Sequence, residues 1–186
     1  EAGSALAQNR LGLIHLNGET VLQDHKRAAE LICGSADQGD ANGLFNCGLL
    51  YAEGRGVPQN AASAVEIWQR AAEFGNVAAI NYVALAYRDG QGVEANPVRA
   101  FEEFFRTGNA GNPMGLYEMA KAYELGLGVA ADPLKAHAHA NLAAARGHVE
   151  ARVMRDRLTQ SFSAAELEGA QTLAREWVAK PISAAE

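Results

Sequence analysis

The apolar and small residues of this chain recur at helical spacing inside blocks that are themselves periodic. Leu44, Cys47, Gly48 and Tyr51 fall at i, i+3, i+4 and i+7, one face of a helix. Gly54 follows, where a residue without Cβ ends a helix in the left-handed region. Gly56 and Val57 shape a turn, Pro58 cannot continue the first helix, and Asn60 is placed to cap a second. That second helix carries Ala64, Trp68, Ala71 and Ala72 on one stripe, and Gly75 closes it. The predicted unit is a helix-turn-helix hairpin with an apolar face left half covered.

The hairpin repeats every 36 residues. Tyr51, Tyr87 and Tyr123 form one column, with His15 in that slot one period earlier. Gly18, Gly54, Gly90 and Gly126 form another; Gly56, Gly92 and Gly128 a third, whose first member is Thr20. Val21, Val57, Val93 and Val129 follow, then Asp24, Asn60, Asn96 and Asp132, then Ala28, Ala64, Ala100 and Ala136. Gly39, Gly75, Gly111 and Gly147 close the units. Four units therefore cover about residues 3–39, 40–75, 76–111 and 112–147. A fifth start, His148 to Leu158, places Arg155 and Asp156 in packing slots, which points to the end of stacking. Ser163 with Glu166 reads as a capping box. The amphipathic helix after it carries Leu167, Ala170, Leu173, Ala174 and Trp177 on one side and is expected to run until Pro181 stops it. It reads as a cap over the last open face. The expected fold is all-α, about 70% helix without sheet. It is one solenoid domain over residues 1–180, with 148–180 as fifth half-repeat and cap, and 181–186 as a tail that frays.

Composition narrows the function classes. Sixteen Lys and Arg against 22 Asp and Glu give a net charge of −6, with no basic stripe of the kind nucleic acid requires. No apolar run approaches the ~18 residues of a membrane span. If a signal segment has been removed ahead of Glu1, the chain is periplasmic or secreted; otherwise it is cytoplasmic.

Gly39-Asp40-Ala41, Cys47-Gly48, Tyr51, Gly54-Arg55-Gly56-Val57, Ala64, Ala71-Ala72 and Gly75 resemble the Sel-one-like repeat, a relative of the tetratricopeptide repeat. The resemblance covers residues 3–147, and the tail Ala164 to Lys180 is similar to a common ending of bacterial members. It implies a right-handed superhelical solenoid with first helices lining the concave side. It also implies work as an adaptor, chaperone-like factor or signalling regulator. Unit three departs from the pattern, with Thr107-Gly108 in place of the Ala-Ala pair and Phe101, Phe104 and Phe105 in its second helix.

Little in the sequence points to catalysis, and no cofactor or metal is implied. His137, His139 and His148 are the only histidine cluster, and residues two apart on a helix face different ways, so they read as packing or surface histidines. The Gly-x-Gly-Val turns recur from unit to unit, with Thr20 as the one departure, and follow no strand, which makes them turn chemistry and not a phosphate loop. Glu53 and Asp89 share a surface column, yet no nucleophile accompanies them. The three phenylalanines read as inter-helix core. Cys33 and Cys47 lie seven residues either side of residue 40, which can set them opposite one another across two antiparallel helices. Cys47 also occupies the Leu column, a slot for a small hydrophobe. Some secreted members of the resembled family cross-link repeats near such turns, at positions nearer the turn than these. The reading adopted is two reduced core cysteines, with a disulfide as the alternative.

The remaining signal is variation. Three first-helix columns change from unit to unit: Asn9, Phe45, Asn81 and Tyr117; Arg10, Asn46, Tyr82 and Glu118; Leu16, Ala52, Arg88 and Glu124. Aromatics there make binding anchors at low entropic cost. The expected function is a scaffold that binds a protein or peptide partner on its concave face through Phe45, Asn81, Tyr82, Arg88, Tyr117 and Lys121. The alternatives are a regulatory subunit or periplasmic inhibitor in a bacterial envelope or signalling system and, last, a hydrolase acting on cell-wall or peptide substrates. Oligomeric state is left open.

Overall fold

The computed structural model describes residues 3–18 and 20–182. Among them are ten α-helices, each of 13 residues, and no strand. These are α1 (Ala5–Asn17), α2 (His25–Asp37), α3 (Ala41–Glu53), α4 (Ala61–Glu73), α5 (Val77–Asp89), α6 (Pro97–Asn109), α7 (Pro113–Leu125), α8 (Pro133–Ala145), α9 (Val149–Ser161) and α10 (Ala164–Glu176). They hold 130 of the 186 residues, the share expected from the sequence. Contacts group them into two compact units, one reaching to Ala95 and one starting at Asn96, so the division falls within the third repeat. In the first unit α1 packs on α2, α2 on α3, α3 on α4 and α4 on α5; in the second, α6 packs on α7, α7 on α8, α8 on α9 and α10 on α8. The expected tail residues 183–186 lie outside the described residues.

Helix boundaries follow from the periodic columns. Gly126 takes φ 70° after α7 and its N–H bonds to the Ala122 carbonyl, the left-handed C-terminal stop that glycine adopts without Cβ strain. The Asp24, Asn60, Asn96 and Asp132 side chains each accept from the backbone N–H three residues on and so cap the second helices. Asp40, Asn76, Asn112 and His148 cap the first helices in the same way. The turn glycines meet a second demand. A Cβ on Gly56 would collide with the His25 carbonyl, one on Gly92 with that of Ala61, and one on Gly128 with that of Pro97. Each acceptor is the first residue of the preceding repeat's second helix, so every such turn lies against a helix end of its neighbour.

Between repeats the helices touch through small residues. A side chain on Gly43 would meet Ser35 and Ala36, and one on Gly115 would meet Thr107 and Gly108. The third repeat's departure is matched there. Thr107 is fully buried over Gly115, and Gly108 leaves room for the Met119 sulfur. Phe104 is buried as expected, whereas Phe105 is 42% exposed and Phe101 half-buried, so only one of the three phenylalanines belongs to the core. Position 105 follows 104 by a turn of about 100°, which carries it off the buried stripe.

The cysteines are a correction. Cys33 of α2 and Cys47 of α3 are joined in a disulfide, with Cα atoms 5.1 Å apart, and no free cysteine exists in the chain. Both helices run seven residues away from their shared turn, and the close contact made by Gly43 with Ser35 and Ala36 holds them near enough for the bond. The slot that suits a buried hydrophobe thus suits a cross-link as well.

The C-terminal helix also ends differently from expectation. α10 stops at Glu176, four residues before the expected limit, and Trp177 turns extended (ψ 131°). That turn lays the indole over the Arg146 guanidinium, 4.8 Å away, and against the Leu116, Ala143 and Ala151 cluster. The Lys180 N–H then bonds to the Asn109 carbonyl at 2.7 Å. α10 covers α8 through the fully buried Ala170.

Candidate functional site

The variable first-helix columns divide by direction. Asn9, Leu16, Asn81 and Glu118 are each less than 10% exposed. The Asn46 side-chain amide donates to Asn9 Oδ1 at 3.0 Å, a polar link from α3 to α1. Asn9 thus faces the next first helix of its unit, α3, and Asn81 is enclosed to the same degree, at 5% exposed. Asn81 consequently offers a partner little surface.

Four of the remaining candidates form two contacts, one in each unit. In the first, the Phe45 ring stands edge-on to Tyr82 with centroids 5.4 Å apart, and Tyr82 tilts against Trp68 at 4.8 Å. The Trp68 indole N–H donates to the Phe45 carbonyl at 3.2 Å, fixing that trio. Tyr82 is 38% exposed. Arg88 lies on α5 as well, but its guanidinium turns to the adjacent Asp89, at 2.7 and 2.9 Å. In the second unit, Tyr117 lies between the His148 ring, 4.4 Å away, and the Lys121 ammonium, 5.5 Å from its centroid. Lys121 also pairs with Glu118 at 3.1 Å.

Tyr117 and Lys121 open onto a groove of about 400 Å³ between α7 and α9. Glu124, Leu125, Val149, Glu150, Val153, Met154 and Arg157 complete it. Leu125, Val149 and Val153 are 61, 56 and 65% exposed, an apolar lining that the described residues leave open. Arg157 spans the groove to both carboxylate oxygens of Glu124, at 2.6 and 2.9 Å, tying α9 to α7. Sequence reasoning missed this α9 wall because it treated the fifth start as the end of stacking. The signal was present: Val153 is the next member, 36 residues on, of the column that holds Phe45 and Tyr117.

The histidines go to separate tasks. His137 is 3% exposed, bonds Thr159 through Nε2 at 2.9 Å, and has its pKa lowered by burial and then by the Arg155 charge. His139 stacks on Tyr123 at 5.3 Å and is also lowered by burial. His148 caps α9. Glu53 and Asp89 each pair with a local arginine, Arg55 and Arg88.

Four repeats of this hairpin also match a known family model, the Sel1 repeat, over residues 5–40, 41–76, 77–102 and 113–148. The chain belongs to the Sel1 repeat family. The third match breaks off at 102, ahead of Thr107-Gly108, where the small pair departs from the pattern. Among solved structures, a Sel1 repeat protein from Oxalobacter formigenes is similar at 24% identity with a TM-score of 0.80, over 94% of this chain and 74% of that one. The protein c5321, described as a protective antigen present in uropathogenic Escherichia coli strains displaying an SLR fold, is similar at 24% identity and TM-score 0.62. That match spans 97% of this chain and 46% of the other. These likenesses speak for the fold. No curated protein matches the chain. Sel1 repeat proteins generally act as protein-interaction scaffolds and are typically not catalytic. No helix of the described residues is long and apolar enough to cross a membrane.

Proposed function

We propose that this Sel1 repeat protein binds a segment of a partner protein on the outward surface of its first helices, with the α7–α9 groove as the principal seat. The observation that carries this reading is the exposed apolar lining of Leu125, Val149 and Val153 beside the rigidly held Tyr117. The charges at the rim are already paired, Lys121 with Glu118 and Arg157 with Glu124. A ligand therefore gains mainly by covering apolar surface and needs no strong charge of its own. Phe45 and Tyr82 offer a second aromatic contact on the first unit, with Trp68 behind them. The test is selection of a displayed peptide library on the intact protein, followed by affinity measurement on Val153→Asp and Leu125→Asp. Enriched peptides should carry apolar anchors and lose at least about tenfold in affinity on each variant. Failure to enrich any sequence, or peptides indifferent to both substitutions, refutes the groove as the seat.

The disulfide favours a setting for this activity. Such bonds persist in oxidising compartments and are rare where glutathione keeps thiols reduced. The Cys33–Cys47 bond therefore supports a periplasmic or extracellular scaffold, in line with a regulatory role in a bacterial envelope.

A further inference from the structure

His137 projects from α8 into the joint with α9, and its surroundings fix which ring nitrogen carries the proton. The residue is 3% exposed. Its Nε2 lies 2.9 Å from Thr159 Oγ1. The Thr159 hydroxyl already donates to the Arg155 carbonyl at 2.9 Å. A hydroxyl has one proton to give, so Oγ1 accepts from His137 and Nε2–H donates. The lone pair of the neutral ring is therefore on Nδ1. That nitrogen is buried and has no hydrogen-bond partner among the described residues. The Phe162 ring tilts against the imidazole at 5.5 Å and closes the joint on that side.

A second proton would have to enter at Nδ1, and the joint is built against it. The new N–H would be a buried donor without an acceptor, on a charged ring out of reach of solvent. The two charges that act on the ring both belong to α9: Arg155 opposes a positive imidazole more strongly than Asp156 favours one. The other charges on the helices packed around α8 are engaged elsewhere or exposed. On α7, Glu118 pairs with Lys121, and Glu124 with Arg157 of α9. The remaining α9 charges are Glu150, beside His148, and the exposed Arg152. On α10, Glu166 bonds Ser163, Arg175 bonds Thr172, and Glu168 and Glu176 are exposed. On α8 itself Lys135 pairs with Asp132, and His139 stacks on Tyr123. Burial first, and then Arg155, hold the His137 pKa below the ordinary histidine value. The ring accepts a proton readily only after α9 has moved off it.

That movement bears on function because α9 is the outer wall of the groove. It is also a weakly held wall: α9 buries Ala151, Met154 and Leu158, whereas α7 buries seven residues. Met154 lines the groove together with Val149, Val153 and Arg157 of the same helix. We propose that His137 is a pH-sensitive latch. Neutral, it ties α9 to α8 and keeps the groove in shape; protonated, it frees α9 and lets go a segment seated there. The release rests on the reading of the α7–α9 groove as the binding seat. Opening of the joint takes up one proton, so the opening equilibrium rises as pH falls below about 6.5. The rise is up to about tenfold per pH unit and ends once the folded pKa is passed.

Hydrogen exchange of the free protein tests the latch without any peptide, when read as protection factors so that the intrinsic effect of pH cancels. Between pH 7 and 5, α9 should lose at least about tenfold in protection relative to α7. In His137→Gln, whose amide can still donate to Thr159, that loss should vanish. Arg155→Met should shrink it, because the closed joint then penalises a proton less; this variant decides the matter should His137→Gln fail to fold. The binding probe is a peptide selected on the groove, with apolar anchors and no titratable side chain. It should bind the native protein at least about threefold more weakly at pH 5 than at pH 7, the loss when two thirds of the molecules have α9 open. His137→Gln should bind it equally at both. Protection of α9 that ignores pH, or that falls as far in both variants, overturns the latch. So does a peptide held unchanged while α9 loosens. Where no peptide binds even at pH 7 the groove reading fails, and the acid response of α9 alone decides the latch.

Discussion

Removing the Cys33–Cys47 disulfide should loosen the first repeat and little else. The bond spans 14 residues of sequence and joins α2 of the first repeat to α3 of the second. Chain-entropy reasoning assigns a loop of this size about 3 kcal/mol at 25 °C. Few side chains back it up. In α1 only Asn9, Gly12 and Leu16 are buried, compared with seven residues in α5. Repeat arrays sum local stabilities and nearest-neighbour terms, so the loss should stay near its source. The substitution to use is the pair Cys33→Ala and Cys47→Ala, because serine at the 3% exposed position 47 would add an unsatisfied hydroxyl. Native-state hydrogen exchange read by mass spectrometry reports each helix separately. Amides of α1 and α2 should exchange about 100-fold faster in the variant, the equivalent of 3 kcal/mol, while those of α7 and α8 keep their protection. Thiol titration of the native protein, unfolded without reductant, should find no reactive cysteine. Equal loosening of all helices, or no change in α1 and α2, would refute the argument that the bond stabilises one end of the array.

Gly128→Ala should destabilise more than Gly147→Ala in urea titrations. Both glycines have positive φ, 72° and 90°, but a Cβ at 128 strikes the Pro97 carbonyl, whereas none at 147 meets an atom within 4 Å; position 147 should cost about 1 kcal/mol and 128 clearly more. Acid should weaken the second unit through His137. Its folded pKa lies below the ordinary histidine value of about 6.5, so its neutral form contributes full stability above about pH 6.5, and that contribution falls as pH drops toward the folded value. The difference in unfolding free energy between native protein and His137→Gln should therefore change between pH 7 and 5, and a constant difference would count against it. Trp177→Ala should cost about 2 kcal/mol, less than a core aromatic because the indole is only half-buried, with α10 the first helix to lose exchange protection.

Most of the fold is written in columns that a single chain compares with itself. A glycine that must be left-handed, or an Asp or Asn that must accept an N–H, leaves no freedom, so Gly54, Gly126, Asn60 and Asp132 mark helix ends directly. The Asp40, Asn76, Asn112 and His148 column was equally open to reading. What the sequence withheld depends on side-chain direction across helices. Seven-residue symmetry could bring Cys33 and Cys47 opposite each other, but whether their Cβ atoms converge is set by how closely α2 and α3 approach. Asn81 and Phe45 share a column, yet the asparagine is enclosed and the phenylalanine half-exposed, so membership of a column does not fix exposure. The groove was half legible: Tyr117 stood out by variation and Lys121 was named beside it, while Val149, Val153 and Arg157 belong to a helix whose polar residues suggested an end.

The turn glycines also bear on how an array like this can change length. At Gly56, Gly92 and Gly128 the nearest atoms of the neighbouring repeat are backbone carbonyls. Every repeat offers a carbonyl at that place whatever its amino acid, so the joint does not depend on which repeat stands next in line. Unequal crossing-over that duplicates or deletes an internal 36-residue unit leaves this turn contact intact at each joint, whereas the helix faces, with pairs such as Thr107 on Gly115 and Cys33 with Cys47, must match anew.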